Sequence, residues 1–472
     1  MPHQSHSPLI QPIQPPFLPA PRQSWATPNT ERQTANAIRE PFAKRPNKCM
    51  LAVLQMELQR LPGFRDFYPE DRAWLNYIIE CWRTTAANFG FAEYDGPILE
   101  STELYKKKSG EELKSQLFRF EDQGGRDICL RPEMTPTLAR LVAARERDFK
   151  KPIKWFSISP FFRFEKPQKG RLREFYQINC DLIGDNSPAA DAELISLAIH
   201  LLRGFGLTER DFSVRLSNRN LWSEFLKRND VPLERTTEFL GIIDKLGREE
   251  ENRLAEKLAA LKLTVEQIHS FLATPTNQLP GFEELFREFR WRGIEDFCEL
   301  DLTIVRGLDY YSGLVFELFD RGQENRAIAG GGRYDKLIEV ISDGSVDLPA
   351  AGFAIGDVVL RNFVEELPHT RALAAERMAK RSLRGYIVIA SETRRPDAIK
   401  LATRLREAGI SVDFPLEAAK VAKQFQTAEA LGAQYALVVG QEWPQIRLKN
   451  LRTRGESVVL ETELETNLKL EN

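Results

Sequence analysis

Histidine and cysteine are scarce in this sequence, with five residues of each among 472. The cysteines are scattered, odd in number and without the paired spacing of a disulfide framework or a zinc site. The histidines form neither a ligand cluster nor a nucleophilic triad. We therefore expect no metal site, and we expect the protein to work in a reducing, cytoplasmic compartment.

Long apolar runs are also missing, and so is an excess of charge of either sign. The longest apolar candidate, Leu194–Leu202, contains His200 and is far shorter than the roughly 18 residues of a membrane-spanning helix. The 66 basic residues face 68 acidic ones, so global charge neither favours nor excludes binding to nucleic acid. With 42% hydrophobic residues, the chain has enough apolar material for about three domains. We expect a soluble protein with no membrane partner.

The beginning of the chain differs in composition from the rest. Residues 1–55 are rich in Pro, Gln and Ser and cannot bury enough apolar surface to offset the entropy of ordering. We predict a disordered tail. A transit peptide, a dispensable extension and a start codon at Met50 or Met56 are alternative interpretations.

Periodicity divides the remaining chain into successive segments. Residues 56–219 and 296–366 mix strand and helix patterns and are predicted to form two parts of one domain. Between them, residues 220–295 follow a helical pattern with dense charge, which predicts an all-helical insertion. The charged stretch at residues 367–384 is predicted as a linker. Residues 385–472 alternate strand and helix, which is typical of a small α/β domain.

The most informative stretch is a hairpin predicted between residues 156 and 181. Period-two alternation places polar side chains on one face of both strands and apolar side chains on the other. The first face contains Phe161, Arg163, Glu165, Arg173, Phe175, Gln177, Asn179 and Asp181. The turn between the strands, Lys166–Arg171, is strongly basic and suits phosphate groups. Because polar groups within strands are costly unless paired or bound to a ligand, we favour a polar-ligand site over a solvated sheet face.

Three further segments contain candidate site residues. In Leu130–Thr137, two prolines set a rigid turn from which Glu133 and Thr135 project, although a capped helix start explains the pattern equally well. Val305–Gly313 combines a charged aromatic centre with glycines that permit close approach of another group. Ala329–Asp335 contains a run of glycines, which is weak evidence alone and matches neither a dinucleotide fingerprint nor a P-loop.

Taken together, these segments resemble class II aminoacyl-tRNA synthetases, and most closely the histidyl-tRNA synthetase family. Phe162–Gln177 resembles class II motif 2, and the helix followed by Gly96-Pro97 resembles motif 1, which builds the dimer interface in that family. Arg306–Tyr311 matches the family signature Arg-Gly-Leu-Asp-Tyr-Tyr, and Gly331–Asp335 matches its companion Gly-Gly-Arg-Tyr-Asp. The resemblance covers about residues 58–460.

The resemblance implies an α+β fold, in which an antiparallel catalytic sheet with a helical insertion precedes a small α/β anticodon-binding domain. It implies a histidine–tRNA ligase, which converts L-histidine and ATP to histidyl-adenylate and pyrophosphate and then transfers histidine to the 3′ end of tRNA(His). Mg²⁺ would accompany ATP, and the protein would be a homodimer. The alternative is a catalytically weak paralogue that acts as a histidine-sensing or tRNA-binding regulatory protein. The C-terminal domain and the arginines Arg163 and Arg306 favour the enzyme.

The same resemblance assigns the site residues. Arg163 and Arg306 would be the catalytic pair on opposite sides of the reacting phosphate. The histidine-binding residues would be Glu133, Met134, Thr135, Gln177, Asp181, Tyr310, Tyr311 and Tyr334. The ATP-binding residues would be Arg163, Glu165, Arg171, Phe175 and Arg306. Within the histidine pocket, Asp181 and Tyr311 would bond the two imidazole nitrogens.

Two positions depart from the family pattern. Asp181 stands where bacterial members commonly have glutamate, one methylene longer. Val359 stands where class II motif 3 usually has the arginine that stacks on adenine. Arg361 lies about 200° further around a helix and cannot substitute for it. Either adenine is held differently or ATP binding is impaired, and we favour the former.

Overall fold

The computed structural model describes most of the chain. The described residues are 59–107, 115–305, 310–322, 326–379 and 383–469. The predicted tail at residues 1–55 lies outside them. All elements named below belong to the compact unit formed by residues 60–472.

Helices and strands alternate along the described chain. The helices are α1 (Pro69–Asn88), α2 (Thr102–Lys106), α3 (Thr135–Ala144), α4 (Pro188–Arg203), α5 (Arg219–Arg228), α6 (Thr236–Ile243), α7 (Glu251–Ala259), α8 (Val265–Leu272), α9 (Phe282–Arg292), α10 (Leu337–Ile341), α11 (Asp357–Glu366), α12 (Pro368–Ala379), α13 (Arg395–Glu407), α14 (Val421–Ala430) and α15 (Leu464–Lys469). The strands are β1 (Ala92–Glu93), β2 (Leu99–Ser101), β3 (Arg119–Glu121), β4 (Asp127–Leu130), β5 (Ile153–Phe162), β6 (Glu174–Ile183), β7 (Phe212–Asn218), β8 (Cys298–Leu300), β9 (Leu314–Asp320), β10 (Ala329–Arg333), β11 (Ala350–Gly356), β12 (Gly385–Ile389), β13 (Val412–Asp413), β14 (Tyr435–Val439), β15 (Gln445–Asn450) and β16 (Glu456–Leu460).

An eight-stranded sheet forms the centre of the larger part, in the order β1-β5-β6-β11-β10-β9-β7-β8. Its pairs are antiparallel except for the edge pairs β1–β5 and β7–β8. The predicted hairpin is the β5–β6 pair, and its alternation is confirmed. Ile178, Cys180 and Leu182 of β6 pack into the core with α1 and α4, whereas the residues between them face away from it.

The helical insertion is confirmed in its helical character. Helices α5 to α9 follow one another between β7 and β8. The aromatic rings of Trp222, Phe225, Phe239 and Phe271 pack together in its interior. Helix α9 packs against α4, so the insertion shares the apolar core behind the large sheet.

The segment predicted as a linker contains a packed helix. Helix α12 occupies most of residues 367–384, and its Thr370 and Ala374 are fully buried. The hydroxyl of Thr370 donates to the carbonyl of Val364, which ties α12 to α11. The high charge that suggested a linker lies on the exposed side of a packed helix.

The C-terminal part is the small α/β domain that the alternation predicts. Its five-stranded sheet has the order β13-β12-β14-β15-β16, with helices α13 and α14 between the parallel strands. The antiparallel strands β15 and β16 and helix α15 were not predicted. Gln424 of α14 is buried and bonds the backbone of Ile389 through both ends of its amide.

Candidate active site

A cavity of about 1010 Å³ lies on the face of the large sheet that is turned away from α1 and α4. It collects most of the residues predicted from four separate segments of the chain. The predicted residues that line it are Glu133, Thr135, Arg163, Glu165, Arg171, Phe175, Gln177, Asp181, Tyr310, Tyr311 and Tyr334. The fold therefore brings the predicted histidine-binding and ATP-binding residues to one place.

Small residues form the floor of this cavity. Gly352 of β11 faces Asp181 of β6, and a Cβ atom on Gly352 would lie 2.0 Å from Oδ1 of Asp181. Ala354 faces Asn179 in the same strand pair, and Gly330 of β10 faces Ala354. Because these positions have little or no side chain, a ligand can approach the sheet closely.

Two hydrogen bonds between tyrosine and carboxylate lie in the cavity wall. The hydroxyl of Tyr334 donates to Oδ1 of Asp181 over 2.5 Å. The hydroxyl of Tyr310 donates to Oε2 of Glu133 over 2.9 Å. The ring centroid of Tyr310 lies 5.1 Å from that of Tyr311 and 5.9 Å from that of Tyr334, so the three rings form one wall of the cavity.

Burial changes the acid–base properties of these groups. It raises the pKa of Asp181 to about 7, and the hydrogen bond from Tyr334 acts in the opposite direction. Burial also raises the pKa of Tyr310 and of Tyr334 well above the usual tyrosine range, and the neighbouring carboxylates add to the effect. The tyrosines therefore stay protonated near neutral pH, whereas Asp181 changes charge there and can accept a hydrogen bond from a ligand N–H group.

Arg163 and Arg171 are two of five arginines among the described residues that line the cavity. Nε of Arg163 donates to the carbonyl of Pro132 over 3.0 Å, and its guanidinium lies 5.4 Å from the ring centroid of Phe175. Nε of Arg171 lies 2.6 Å from Oε2 of the buried Glu165. The first contact ties the end of β5 to the turn before α3. This part of the cavity thus combines cations with an aromatic face, which suits a nucleotide.

The start of α11 closes the cavity with apolar side chains. Val359 lines it, and Cγ2 of Val359 would lie 3.2 Å from a Cβ atom built on Gly170 in the basic turn. Arg361 is directed elsewhere, because it binds Asp71 over 3.1 Å and stacks 5.4 Å from the ring of Trp74. The expectation that Arg361 cannot replace the missing arginine is confirmed.

Two predicted site residues are not among those that line the cavity. Met134 is completely buried and precedes the first residue of α3, so its apolar side chain packs inside the protein while Glu133 and Thr135 face the cavity. The assignment of Met134 to the histidine site stays a prediction. Arg306 lies outside the described residues, although Val305 just before it lines the cavity.

The cavity also contains residues that the sequence did not point to as site residues. Asn179 lies between Gln177 and Asp181 on β6, and its buried amide nitrogen has no hydrogen-bond partner within the described part of the chain. Its place on the polar face of the hairpin was the available signal. Residues 246–248 of the helical insertion also line the cavity. The signal there was Gly247, which interrupts the helical pattern and adopts a φ of 74°.

The described ranges contain neither a metal-binding cluster nor a membrane-spanning helix. No cluster of three or more His, Cys, Asp or Glu side chains among them is arranged to hold a metal ion. No helix among them is long and apolar enough to cross a membrane.

Comparison with known proteins identifies the family. A family model described as histidyl-tRNA synthetase matches residues 63–357, and one described as anticodon binding domain matches residues 386–469. The histidine–tRNA ligase of Opitutus terrae is 44% identical over 85% of this chain and 95% of its own length. That of Leptospira biflexa is 34% identical over the same shares.

A solved structure supports the fold independently. The crystal structure of histidyl-tRNA synthetase from Nostoc sp. PCC 7120 superposes with a TM-score of 0.72, covering 88% of this chain and 99% of that one at 22% identity. The match agrees with the α+β architecture and the C-terminal domain described above. From its family-model match over residues 63–357 and its 44% identity to a curated relative, this chain belongs to the histidyl-tRNA synthetase family.

Proposed function

We propose that this chain is a histidine–tRNA ligase, which forms histidyl-adenylate from L-histidine and ATP and transfers histidine to the 3′ end of tRNA(His). The observation that carries the proposal is the cavity itself. It joins a buried, titratable carboxylate at Asp181 to a cationic and aromatic region at Arg163 and Phe175. The carboxylate suits an imidazole, and the cationic and aromatic region beside it suits a nucleotide.

The histidine side chain would bind between Asp181 and Tyr311. An imidazole N–H donates to the Asp181 carboxylate, whose other oxygen already accepts the hydroxyl of Tyr334. Tyr311 would donate to the second ring nitrogen. Glu133 would attract the α-ammonium group, with Thr135 and Gln177 beside it. A pocket that bonds both ring nitrogens rejects amino acids without them, because its own buried polar groups would lose their partners.

The chemistry requires no protein nucleophile. One histidine carboxylate oxygen attacks the α-phosphorus of ATP, the bond to pyrophosphate breaks, and the adenylate forms. A ribose hydroxyl of the terminal tRNA nucleotide then attacks the activated carbonyl carbon and AMP leaves. Arg163 and Arg306 would stabilise the charge that builds up on the phosphate, so that catalysis rests on positioning and electrostatics.

The adenine base would be held by apolar contact instead of by an arginine. Phe175 would stack on one face of the base, and Val359 with Val358 would cover the other. Arg171 would reach the outer phosphates from its ion pair with Glu165. Mg²⁺ would arrive with ATP, and the carboxylates that face the cavity supply the oxygen ligands that it prefers.

The tRNA would be recognised away from the cavity as well. The residues matched by the anticodon-domain model form the separate five-stranded α/β domain. Lys420 and Lys423 lie on its exposed surface and could contact phosphates. A cytoplasmic location fits the four described cysteines, none of which forms a disulfide bond.

A homodimer would use the surface around the three-stranded sheet β2-β4-β3. Ile98, Leu99, Phe120 and Phe164 are large apolar residues that are exposed there. The ring centroid of Phe164 lies 5.4 Å from that of Phe118, so these two side chains form part of one apolar surface. Apolar surfaces of this kind mark subunit contacts. Light scattering on the purified protein would give the mass of a dimer.

The test of the proposal is ATP–pyrophosphate exchange with each of the 20 amino acids, followed by charging of tRNA. We expect exchange with histidine alone, and histidine attached to tRNA(His). Histidine binding without exchange would support the regulatory paralogue instead. The C-terminal domain and the presence of Arg163 count against that alternative.

A further inference from the structure

The first residue of helix α5 reaches back to the active site. Arg219 begins α5, directly after β7, and is partly buried. Its Nε and Nη2 both donate to the carbonyl of Val305, over 3.1 and 2.9 Å. Its Nη1 donates to the carbonyl of Tyr311 over 3.0 Å. One guanidinium therefore holds two points of the chain that are six residues apart in sequence.

Further contacts fix the same short segment. The backbone N–H of Arg219 donates to the carbonyl of Gly313 over 3.0 Å, and its guanidinium lies 5.8 Å from the ring centroid of Tyr311. On the other side, the hydroxyl of Ser312 donates to Oδ2 of Asp335 and accepts from the backbone N–H of Asp335, both over 3.0 Å. Tyr311 thus stands on a backbone that is clamped from both sides.

We propose that Arg219 is a positioning residue, which sets the place of Tyr311 in the histidine pocket without touching either substrate. The inference rests on the proposed function, because that is where Tyr311 contacts the imidazole. Val305 and Tyr311 are both buried, so their carbonyls lose charge-assisted partners when Arg219 is replaced. The segment then relaxes, and the Tyr311 hydroxyl moves away from the bound ring.

The clamp also joins two regions that the sequence separates. Arg219 belongs to the first helix of the insertion, whereas Val305 and Tyr311 follow its last helix. Any displacement of α5 is therefore transmitted to the wall of the histidine pocket. Lysine cannot reproduce this arrangement, since a single ammonium group lacks the planar fork that reaches both carbonyls.

The experiment compares Arg219→Ala and Arg219→Lys with the parent in histidine-dependent pyrophosphate exchange. We expect the KM for histidine to rise by about tenfold or more in the alanine variant, the scale of losing hydrogen bonds to a charged group. The lysine variant should fall between it and the parent. The KM for ATP should change little, because Arg163 and Phe175 lie on the β5–β6 hairpin. Arg235→Ala is the matched control, since Arg235 also donates to a carbonyl, that of Ala260, but is not among the residues that line the cavity.

A double-mutant cycle separates positioning from general destabilisation. If Arg219 acts through Tyr311, the effect of Arg219→Ala on the histidine KM should shrink to within about threefold in a Tyr311→Phe background. Equal effects in both backgrounds, or equal changes in the KM for histidine and for ATP, would overturn the inference. Arg219→Lys serves in the same cycle if the alanine variant does not fold. If the parent protein shows no histidine-dependent pyrophosphate exchange, the proposed function is wrong, and this inference is wrong with it.

Discussion

Tyr334 donates its hydroxyl hydrogen to Oδ1 of Asp181 over 2.5 Å, and both side chains are almost completely buried in the cavity wall. The two residues come from strands β6 and the end of β10, about 150 residues apart in sequence. The bond stabilises the charged form of a carboxylate whose pKa burial raises to about 7. Histidine binding should therefore depend on this pair near neutral pH.

The first prediction concerns pH. Below about pH 7 Asp181 takes up a proton and loses its charge, so it becomes a poorer acceptor for the imidazole N–H. We expect histidine affinity, measured by calorimetry, to fall as the pH is lowered from 8 to 6. The Asp181→Asn variant should bind histidine about 10–100-fold more weakly at pH 8. Its histidine affinity should then change with pH only because free histidine itself titrates, with a ring pKa of about 6.5. Identical profiles for the two proteins would contradict the assignment.

The second prediction concerns the donor of that bond. In Tyr334→Phe, the carboxylate loses a hydrogen bond that lowers its pKa, so the pKa of Asp181 should rise further. The pH at which histidine affinity begins to fall should move upward by about one unit. Tyr68→Phe, at a well-exposed position, provides the control and should leave the profile unchanged. A downward shift in Tyr334→Phe would show that the bond does not act on the charged form.

The third prediction concerns the cavity floor. In Gly352→Ala, the added methyl would lie 2.0 Å from Oδ1 of Asp181, well inside van der Waals contact. The carboxylate must move, and we expect histidine binding to weaken by about 10–100-fold, which corresponds to the cost of about 1–3 kcal/mol that is usual for an overpacked site. Gly241→Ala is the matched control, because a methyl there meets nothing within 4 Å. Normal histidine affinity in Gly352→Ala would mean that Asp181 is not part of the pocket.

The fourth prediction concerns the residue that departs from motif 3. Val359→Ala removes the equivalent of two methylene groups from the wall of the nucleotide region, at about 0.8 kcal/mol each. We expect the KM for ATP in pyrophosphate exchange to rise by up to about tenfold, while the KM for histidine stays the same. Val458→Ala, exposed in the C-terminal domain, should change neither. If the parent protein binds ATP with a dissociation constant weaker than millimolar, the proposal of an apolar adenine site is wrong.

The fifth prediction concerns a residue outside the described structure. Arg306→Ala should lower the rate of adenylate formation by about 10²–10³-fold, which is the usual effect of removing one group that stabilises charge in the transition state. The exposed Arg228, replaced by alanine in the same assay, should have little effect. Exchange rates within a few-fold of the parent would exclude Arg306 from the catalytic pair.

Features set by neighbouring residues were predictable from the sequence. The alternation in β5 and β6 identified both the polar and the apolar face, since side chains in a strand point to opposite sides by geometry alone. Spacing of this kind is independent of the remainder of the chain.

Features that depend on distant contacts were not predictable in the same way. The linker prediction did not include α12, because the buried side of this helix, with Thr370 and Ala374, is set by the helices that it meets. Met134 looked like part of a polar motif, yet its side chain packs into the core. The contribution of residues 246–248 to the cavity depends on how the insertion folds back.

The sequence by itself determined the family, the order of the segments and eleven of the side chains that line the cavity, because each motif is encoded by adjacent residues. The tertiary structure alone decided which side chains meet. It paired Tyr334 with Asp181, Tyr310 with Glu133 and Arg219 with the carbonyl of Tyr311. Hydrogen bonds and burial act through space, so the pKa of Asp181 and the shape of the pocket arise only after strands far apart in sequence lie side by side.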